Sequence, residues 1–274
     1  MAKLMCAAVQ MASSPNVGAN LLEAGRLIEK AAAQGARLVV LPENFALMGM
    51  DESDKLAVAE DDGSGPIQEF LAKTAERFKL WLVGGTLPIK TADPQRVRAS
   101  CLVYDDRGMR AGRYDKIHLF DVDVPETGET YRESSTIEAG DRSLVLDTPF
   151  GTLGVAVCYD LRFPEQFRQM AETGLDILAV PSAFTARTGA AHWDLLVRAR
   201  SVENLCYTVA SDQGGFHING RETYGHSMIV DPWGNTLASL TSGAGIVCAE
   251  IDHDRLLKVR AAFPVLTHRR LWCR

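Results

Sequence analysis

The chain has 274 residues, of which 46% are hydrophobic and 23% charged, a composition typical of a globular protein rather than of a disordered or fibrous one. A net charge of −6 without long Lys/Arg clusters argues against nucleic acid as the main partner. No apolar stretch has the length of a membrane span and the N-terminus has no signal-peptide pattern, so we expect no membrane association.

The first forty residues predict a strand over 4–11, a helix over 16–34 and a second strand over 37–42. Short apolar runs indicate the strands, and apolar residues at helical spacing indicate the helix. This βαβ order favours neighbouring strands in a mixed or parallel sheet. Ligands gather at the C-terminal ends of such strands, so Glu43, directly after the second strand, is either a candidate general base or an ordinary solvated residue.

The middle of the chain predicts an acidic loop over 48–65, a helix over 66–79 and a strand over 80–87. Within this strand Gly84-Gly85 indicates a close approach of two backbone segments. Strands over 97–104 and 109–114 form a predicted hairpin.

Lys116 follows that hairpin in an apolar setting, where it either reaches a site or lies at the surface with its stem on apolar groups. The segment 121–141, which contains Glu133, is predicted to be a long loop, and long loops inside compact domains are usually functional.

Cys158 lies between an apolar, β-branched strand over 152–157 and a helix that opens near Pro164. We therefore expect its sulfur near a helix N-terminus, where the helix dipole favours a thiolate. The alternative is an inert cysteine buried at the end of a strand.

The rest of the chain predicts further strands over 175–181, 207–211, 224–230, 236–240 and 245–251, helices over 192–205 and 255–262, and a glycine-rich loop over 212–220. The sequence contains no internal repeat and no linker composition. We therefore predict one domain over residues 1–274.

Three polar side chains at predicted strand ends, Glu43, Lys116 and Cys158, supply what amide hydrolysis needs. A thiolate attacks the carbonyl carbon, and a carboxylate accepts the thiol proton and returns it to the departing amine. An ammonium group and the backbone N–H of Tyr159 stabilise the oxyanion. A Cys/His pair is the competing arrangement, with His118, His192, His217 or His226 as the base.

The sequence lacks the patterns of disulfide, metal, nucleotide-binding and serine-hydrolase sites. The six cysteines form no C-x-x-C pair and the histidines have no metal-ligand spacing, so we expect no disulfide, no metal and a reduced, cytoplasmic protein. Nucleotide-binding glycine motifs and the Gly-x-Ser-x-Gly elbow are absent as well. The cysteines are Cys6, Cys101, Cys158, Cys206, Cys248 and Cys273.

Three blocks of sequence resemble the signatures of the nitrilase superfamily of carbon–nitrogen hydrolases. They are Leu-Pro-Glu-Asn at 41–44, Tyr-Asp-Lys-Ile-His-Leu-Phe-Asp at 114–121 and Val-Cys-Tyr-Asp-Leu-Arg-Phe-Pro-Glu at 157–165. Their order and approximate spacing match, and the similarity covers nearly the whole chain. Stretches at 191–200 and 224–234 resemble the Nit branch, which contains omega-amidase and deaminated glutathione amidase.

The resemblance implies an α/β protein, a four-layer α-β-β-α sandwich that forms a homodimer or a higher homo-oligomer and needs no cofactor. It implies Glu43 as general base and acid, Lys116 as oxyanion stabiliser and Cys158 as nucleophile. Glu133 matches the family's second glutamate, which orients the lysine and the substrate.

The two activities of the Nit branch share an α-ketoglutaryl acyl group and differ in the amine released, which is ammonia or cysteinylglycine. Stretches at 212–217 and 224–228 are closer to the deaminated glutathione branch, so we expect deaminated glutathione, a small-molecule amide, as substrate. The loops over 184–189 and 214–221 are expected to hold the leaving amine. Arg162 is placed either to hold a substrate carboxylate through a bidentate pair or to form a structural salt bridge. The further substrate-binding candidates are Tyr159, Phe184 and Thr188.

Several alternatives remain open. Within the superfamily these are an omega-amidase, a carbamoyl-amino-acid hydrolase and a nitrile hydrolase. Outside catalysis they are a catalytically silent scaffold, which would have no need of an intact Glu43, Lys116 and Cys158, and a thiol redox sensor, for which no second cysteine lies nearby in sequence.

Overall fold

The computed structural model describes residues 3–124 and 128–271. Cys273 and part of the predicted loop over 121–141 lie outside the described residues. The helices are α1 (Val17–Ala33), α2 (Asp54–Ala57), α3 (Pro66–Phe78), α4 (Pro164–Glu172), α5 (Ala186–Asn204) and α6 (His253–Ala262), with 3₁₀ helices at Glu133–Ser135 and Cys158–Arg162.

The strands of the first half are β1 (Leu4–Gln10), β2 (Leu38–Val40), β3 (Trp81–Val83), β4 (Leu87–Lys90), β5 (Val97–Tyr104), β6 (Arg110–Asp115), β7 (Asp121–Asp123) and β8 (Thr130–Arg132). Those of the second half are β9 (Leu144–Thr148), β10 (Gly151–Val155), β11 (Ile177–Ser182), β12 (Tyr207–Asp212), β13 (Gly214–Phe216), β14 (Glu222–Tyr224), β15 (Ser227–Val230), β16 (Thr236–Leu240) and β17 (Gly245–Ile251).

Two mixed sheets form the centre of the part of the chain that is described. The first runs in the order β17-β1-β2-β3-β5-β4 with β6 paired to β5, and the second runs β16-β15-β12-β11-β10-β9. The inner strands of each sheet are parallel, namely β1 to β3 and β10 to β12, and the outer strands are antiparallel. The parallel β1-α1-β2 unit predicted from the first forty residues is confirmed.

Successive side chains of a strand point to opposite faces of its sheet, so they pack in different layers. In β1, Cys6 and Ala8 belong to the cluster that contains the second sheet, whereas Ala7 and Val9 pack with the apolar faces of α1 and α3. Helices α4 and α5 cover the other side of the second sheet, where Trp193 is fully buried. The observed arrangement is the predicted α-β-β-α sandwich.

The predicted strand over 80–87 is wrong in its continuity, since β3 ends at Val83 and β4 starts at Leu87. The break lies at the Gly84-Gly85 pair. Gly85 has φ +59°, and a Cβ atom built on it would lie 2.2 Å from the carbonyl oxygen of Pro42. The glycines thus allow the close backbone approach that the sequence indicates, directly beside Glu43.

Two predicted loops contain short hairpins instead. The segment after Asp121 forms the β7-β8 pair and the 3₁₀ helix of Glu133, and the glycine-rich segment forms β13, which pairs with β14. The predicted strand over 224–230 is interrupted at Gly225-His226, where both residues have positive φ. Helix α5 starts at Ala186, earlier than the predicted 192, with Thr185 as its N-cap.

Candidate active site

Glu43 follows the C-terminal end of β2 at the junction of the two sheets. Its backbone carbonyl accepts a 3.0 Å hydrogen bond from Nε2 of Gln213, a fully buried residue that follows β12 of the second sheet. The next residue, Asn44, has φ +57° and donates its backbone N–H to Oγ1 of Thr86 at 2.8 Å. These contacts fix the turn, and the Glu43 side chain is only 4% exposed.

Lys116 follows β6 and is 2% exposed, so its ammonium group is not at the surface. The Nζ atom donates to Oε1 of Glu43 at 2.8 Å and to the two carboxylate oxygens of Glu133 at 2.8 and 3.0 Å. Glu133 also accepts the backbone N–H of Phe120 at 2.7 Å. One lysine between two glutamates gives these mostly buried groups a formal net charge of −1.

Cys158 comes from the second sheet, at the bend between β10 and the 3₁₀ helix Cys158–Arg162. It has φ +50°, an unfavourable left-handed conformation for a residue with a Cβ atom, and it is 9% exposed. The thiol forms a hydrogen bond with Glu43, and the backbone of Ala183 forms one with the sulfur. Residues of both sheets therefore meet around this thiol.

Asp160 holds the turn that carries Cys158. Its buried carboxylate accepts the backbone N–H of Val157 at 2.8 Å and the hydroxyl of Tyr114 at 2.6 Å on Oδ2. On Oδ1 it accepts the backbone N–H of His118 at 3.1 Å and contacts Nδ1 of the same histidine at 2.7 Å. Because Tyr114 and His118 flank Lys116, this one side chain connects the cysteine turn to the lysine segment.

The charges of the cluster follow from burial and from the short contacts. Burial works to raise the pKa of Glu43, but Lys116, with smaller contributions from the Cys158 hydrogen bond and the Arg221 charge, lowers it below its usual value, so this carboxyl is ionised at neutral pH. Burial likewise works to lower the pKa of Lys116, but Glu133 and Glu43 raise that pKa well above its usual value. The lysine is therefore a permanent cation.

The prediction that Cys158 rests as a thiolate is wrong. Burial, reinforced by the negative charge of Glu43, raises the pKa of this thiol well above its usual value, although Lys116 opposes the shift. The 3₁₀ helix that begins at Cys158 is only five residues long, so its dipole is small. A buried thiol next to an ionised carboxylate is an arrangement in which the proton moves to the base during attack.

A pocket of about 430 Å³ opens onto the thiol. Its wall includes all eight site residues predicted from the sequence, namely Glu43, Lys116, Glu133, Cys158, Tyr159, Arg162, Phe184 and Thr188. The Arg162 guanidinium lies 5.8 Å from the ring centre of Tyr159 and 5.7 Å from that of Phe184. Among the described residues it has no carboxylate within salt-bridge distance, and its nearest polar partner is Nδ1 of His192 at 3.3 Å.

Sequence reasoning did not single out three residues of this site, Asp160, Arg221 and Gln213, although Arg221 ends the loop over 214–221 that is expected to hold the leaving amine. Asp160 stands two residues after the cysteine, and its position after a buried strand was the available signal. Arg221 lines the pocket from the β13-β14 hairpin. Gln213 carried no local signal, because its role depends on a residue 170 positions away.

The described part of the chain contains neither a metal-binding cluster nor a membrane-spanning helix. Within residues 3–124 and 128–271 no group of three or more His, Cys, Asp or Glu side chains has a metal-binding arrangement. No helix in the described part of the chain is long and apolar enough to cross a membrane.

Known proteins are similar to this chain in sequence and in fold. The model of the carbon-nitrogen hydrolase family matches residues 6–261. The deaminated glutathione amidase of Synechocystis sp. (strain PCC 6803 / GT-S) is 44% identical over 268 residues, which cover 97% of each chain.

Solved structures agree with the sequence comparison. The NitFhit protein of C. elegans has a TM-score of 0.90 and 36% identity over 98% of this chain, which spans 65% of the NitFhit chain. An amidase from Nesterenkonia sp. AN1 has a TM-score of 0.78 and 26% identity, with 96% of this chain and 98% of that chain covered. A mutant of that amidase adds acrylamide to its active-site cysteine. This chain belongs to the carbon-nitrogen hydrolase family, the nitrilase superfamily, and is an α/β amidase of a family that uses a cysteine nucleophile.

Proposed function

We propose that this protein hydrolyses deaminated glutathione, a small carboxylate-bearing amide, through an acyl-enzyme on Cys158. The observation that carries the proposal is the meeting of three groups in one pocket. The Cys158 thiol is hydrogen-bonded to Glu43, and Glu43 is hydrogen-bonded at 2.8 Å to the Lys116 ammonium. This is the base, cation and nucleophile that amide hydrolysis needs.

In the first half of the reaction, Glu43 accepts the thiol proton as the Cys158 sulfur bonds to the amide carbon. The carbonyl oxygen becomes an oxyanion, which the Lys116 ammonium and the backbone N–H of Tyr159 stabilise. Glu43 then gives its proton to the amide nitrogen, the C–N bond breaks and the amine leaves. The acyl group remains as a thioester.

In the second half, Glu43 accepts a proton from water while the water oxygen attacks the thioester carbon. The C–S bond breaks and the sulfur recovers the proton from Glu43, which restores the thiol. Glu133 keeps the Lys116 ammonium in place throughout through its two contacts of 2.8 and 3.0 Å. No step requires a cofactor.

The choice of substrate rests on the relatives and on the pocket. Full-length relatives from bacteria and from Homo sapiens, 44% and 37% identical, are deaminated glutathione amidases. Arg162 provides an unpaired guanidinium between two aromatic rings, which suits the carboxylate of an α-ketoglutaryl group. Tyr159, Phe184 and Thr188 would shape the site around that acyl group.

We further propose a single domain over the whole chain, a homo-oligomer and a cytoplasmic location. Oligomerisation is supported by exposed apolar side chains around α6, among them Trp233, Leu257 and Phe263. The location is supported by the free thiols of the five described cysteines.

A substrate panel tests the proposal. We expect kcat/KM for deaminated glutathione to exceed that for α-ketoglutaramate, a carbamoyl amino acid and a nitrile. Cys158→Ala should abolish turnover, and iodoacetamide should label Cys158 in the wild-type protein. A higher kcat/KM for α-ketoglutaramate would make the protein an omega-amidase, and lack of both turnover and labelling would favour a scaffold.

A further inference from the structure

Arg221 is a second guanidinium of the pocket, to which the proposed reaction assigns no role. It immediately precedes β14, and its Nη2 atom donates a 3.0 Å hydrogen bond to the carbonyl oxygen of Ala183. The backbone of Ala183 also contacts the Cys158 sulfur. Arg221 and the nucleophile Cys158 therefore contact the same residue, Ala183.

Arg221 forms no direct ion pair with the other charges of the pocket wall, although its charge helps to lower the pKa of Glu43 and of Glu52. The Lys55, Lys116 and Arg132 cations are each paired with a carboxylate. Among the described residues, Arg221 has no carboxylate within salt-bridge distance, and its buried Nε atom has no hydrogen-bond partner. The Arg221 head group also lines the pocket, where a guanidinium without an ion pair can bind an anionic group of a substrate.

The loop around Arg221 is fixed before any ligand arrives. Buried His217 contacts the carbonyl oxygen of Ser13 at 2.9 Å and the hydroxyl of Thr223 at 2.7 Å. Asn219 donates its side-chain amide to the carbonyl oxygen of Gly49 at 2.7 Å and accepts the backbone N–H of Arg221 at 3.0 Å. An anion bound by Arg221 therefore needs little ordering of the loop.

A series of aromatic contacts connects Arg221 to Arg162 along the pocket. The Arg221 guanidinium lies 5.2 Å from the ring centre of Tyr131, which is 5.0 Å from the ring of Phe120. Phe120 lies 5.1 Å from the ring of Tyr159, and Tyr159 is 5.8 Å from the Arg162 guanidinium. Three neighbouring rings thus connect the two guanidinium groups, neither of which has a carboxylate within salt-bridge distance among the described residues.

We propose that Arg221 binds the terminal carboxylate of the leaving amine, while Arg162 binds the carboxylate of the acyl group. This inference rests on the proposed function and makes the pocket selective for amides whose amine part is an amino acid or a short peptide with a free C-terminus. Ammonia as leaving group has no such carboxylate, so Arg221 determines specificity between the two activities of the branch.

Two substrates that differ in one group test the inference. Deaminated glutathione is compared with its C-terminal carboxamide, and the ratio of the two kcat/KM values measures recognition of the carboxylate. The wild-type enzyme should prefer the acid by roughly 10–100-fold, the range for a charge-assisted hydrogen-bonded pair. Arg221→Gln should bring the ratio close to one, and Arg221→Lys should restore part of it.

Arg132→Gln is the matched control, because Arg132 also lines the pocket but is paired with Asp123. It should keep the wild-type ratio. An unchanged ratio in Arg221→Gln would overturn the inference. If the ratio is unchanged because kcat/KM falls equally for the acid and the carboxamide, Arg221 only supports Ala183. Thermal unfolding of each variant separates these outcomes from misfolding.

Binding distinguishes failure of this inference from failure of the proposed function. Calorimetry with the turnover-deficient Cys158→Ala protein uses cysteinylglycine as the probe. The dipeptide should bind this protein more weakly, by roughly 10-fold or more, once Arg221→Gln is added. If the wild type hydrolyses no deaminated glutathione, the function fails on that assay alone, and the dipeptide measurement still decides the role of Arg221.

Discussion

Asp160→Asn should damage both stability and catalysis, and the structure gives the reason. Each carboxylate oxygen accepts one backbone N–H, from Val157 on Oδ2 and from His118 on Oδ1. Whichever way the new amide is oriented, its NH₂ group faces one of these donors. A backbone N–H at the cysteine turn or at the lysine segment therefore loses its acceptor.

The magnitude follows from that count. A buried or partly buried donor left without an acceptor costs about 1–3 kcal/mol. For a chain of this size each kcal/mol lowers the unfolding midpoint by about 2–4 °C, so we expect a decrease of roughly 2–12 °C. The turn that carries Cys158 would also shift relative to Lys116, and a displacement on the order of 1 Å lowers kcat by about 10–100-fold.

Asp231→Asn is a matched control for this prediction. Asp231 is also buried and accepts four hydrogen bonds, two from the backbone N–H groups of Trp233 and Asn235 at 2.9 Å and two from the side chains of Asn235 and Arg255. It does not line the pocket. Its variant should lose similar stability and keep the wild-type kcat.

The assay combines thermal unfolding with steady-state kinetics at a temperature well below both midpoints. The expected pattern is a lower midpoint in both variants and a lower kcat in Asp160→Asn alone. A wild-type kcat in Asp160→Asn would show that Asp160 supports the fold but does not position the nucleophile. Equal loss of kcat in both variants would attribute the effect to general destabilisation.

Three further predictions concern the charges. Lys116→Met leaves Glu43 and Glu133 without their cation, so it should cost about 3–5 kcal/mol in urea unfolding and at least about 100-fold in kcat; a wild-type kcat would contradict the oxyanion role. Glu43→Gln should abolish turnover and yet shift iodoacetamide labelling of Cys158 to lower pH. The reason is that the Glu43 charge raises the pKa of the Cys158 thiol, whereas the Lys116 charge lowers it. A shift of the labelling to higher pH would contradict this balance. Burial lowers the pKa of His217 below its ordinary 6.5, so the unfolded chain takes up a proton on this ring at a higher pH than the folded protein does. The contribution of neutral His217 to stability should therefore be complete above about pH 6.5 and decline below it. His217→Gln should flatten that decline in urea titrations at several pH values.

The sequence predicted the site best where local pattern and position coincide. Glu43 and Cys158 follow apolar strands and Lys116 follows the predicted hairpin, and ligands gather at such strand ends. The four layers were predictable only through the family resemblance. The continuous apolar run of β1 predicts that both faces of this strand are buried. It does not show that the second sheet covers one face and helices cover the other.

The remainder depends on contacts between distant residues. The β13-β14 hairpin is a two-stranded pair held by the bridges Met11↔Gln213 and Thr185↔Thr223, which no local pattern reveals. The break at Gly225 reflects its closeness to the Gln10 side chain and to Thr241, 215 and 16 residues away along the chain. The raised pKa of the Cys158 thiol depends on burial between the two sheets. The expected effect of a helix dipole on this thiol could not predict it.

The division of the site between the sheets has a consequence for how the enzyme acquires its activity. Glu43 and Lys116 belong to the first sheet, whereas Cys158 belongs to the second. A chain in which only one sheet has formed has either a base without a nucleophile or a thiol without a base. During refolding from urea, hydrolysis should therefore reappear only after circular dichroism has recovered, in step with the docking of the two halves. The nascent protein thus has no amidase activity on its surroundings until it is completely folded.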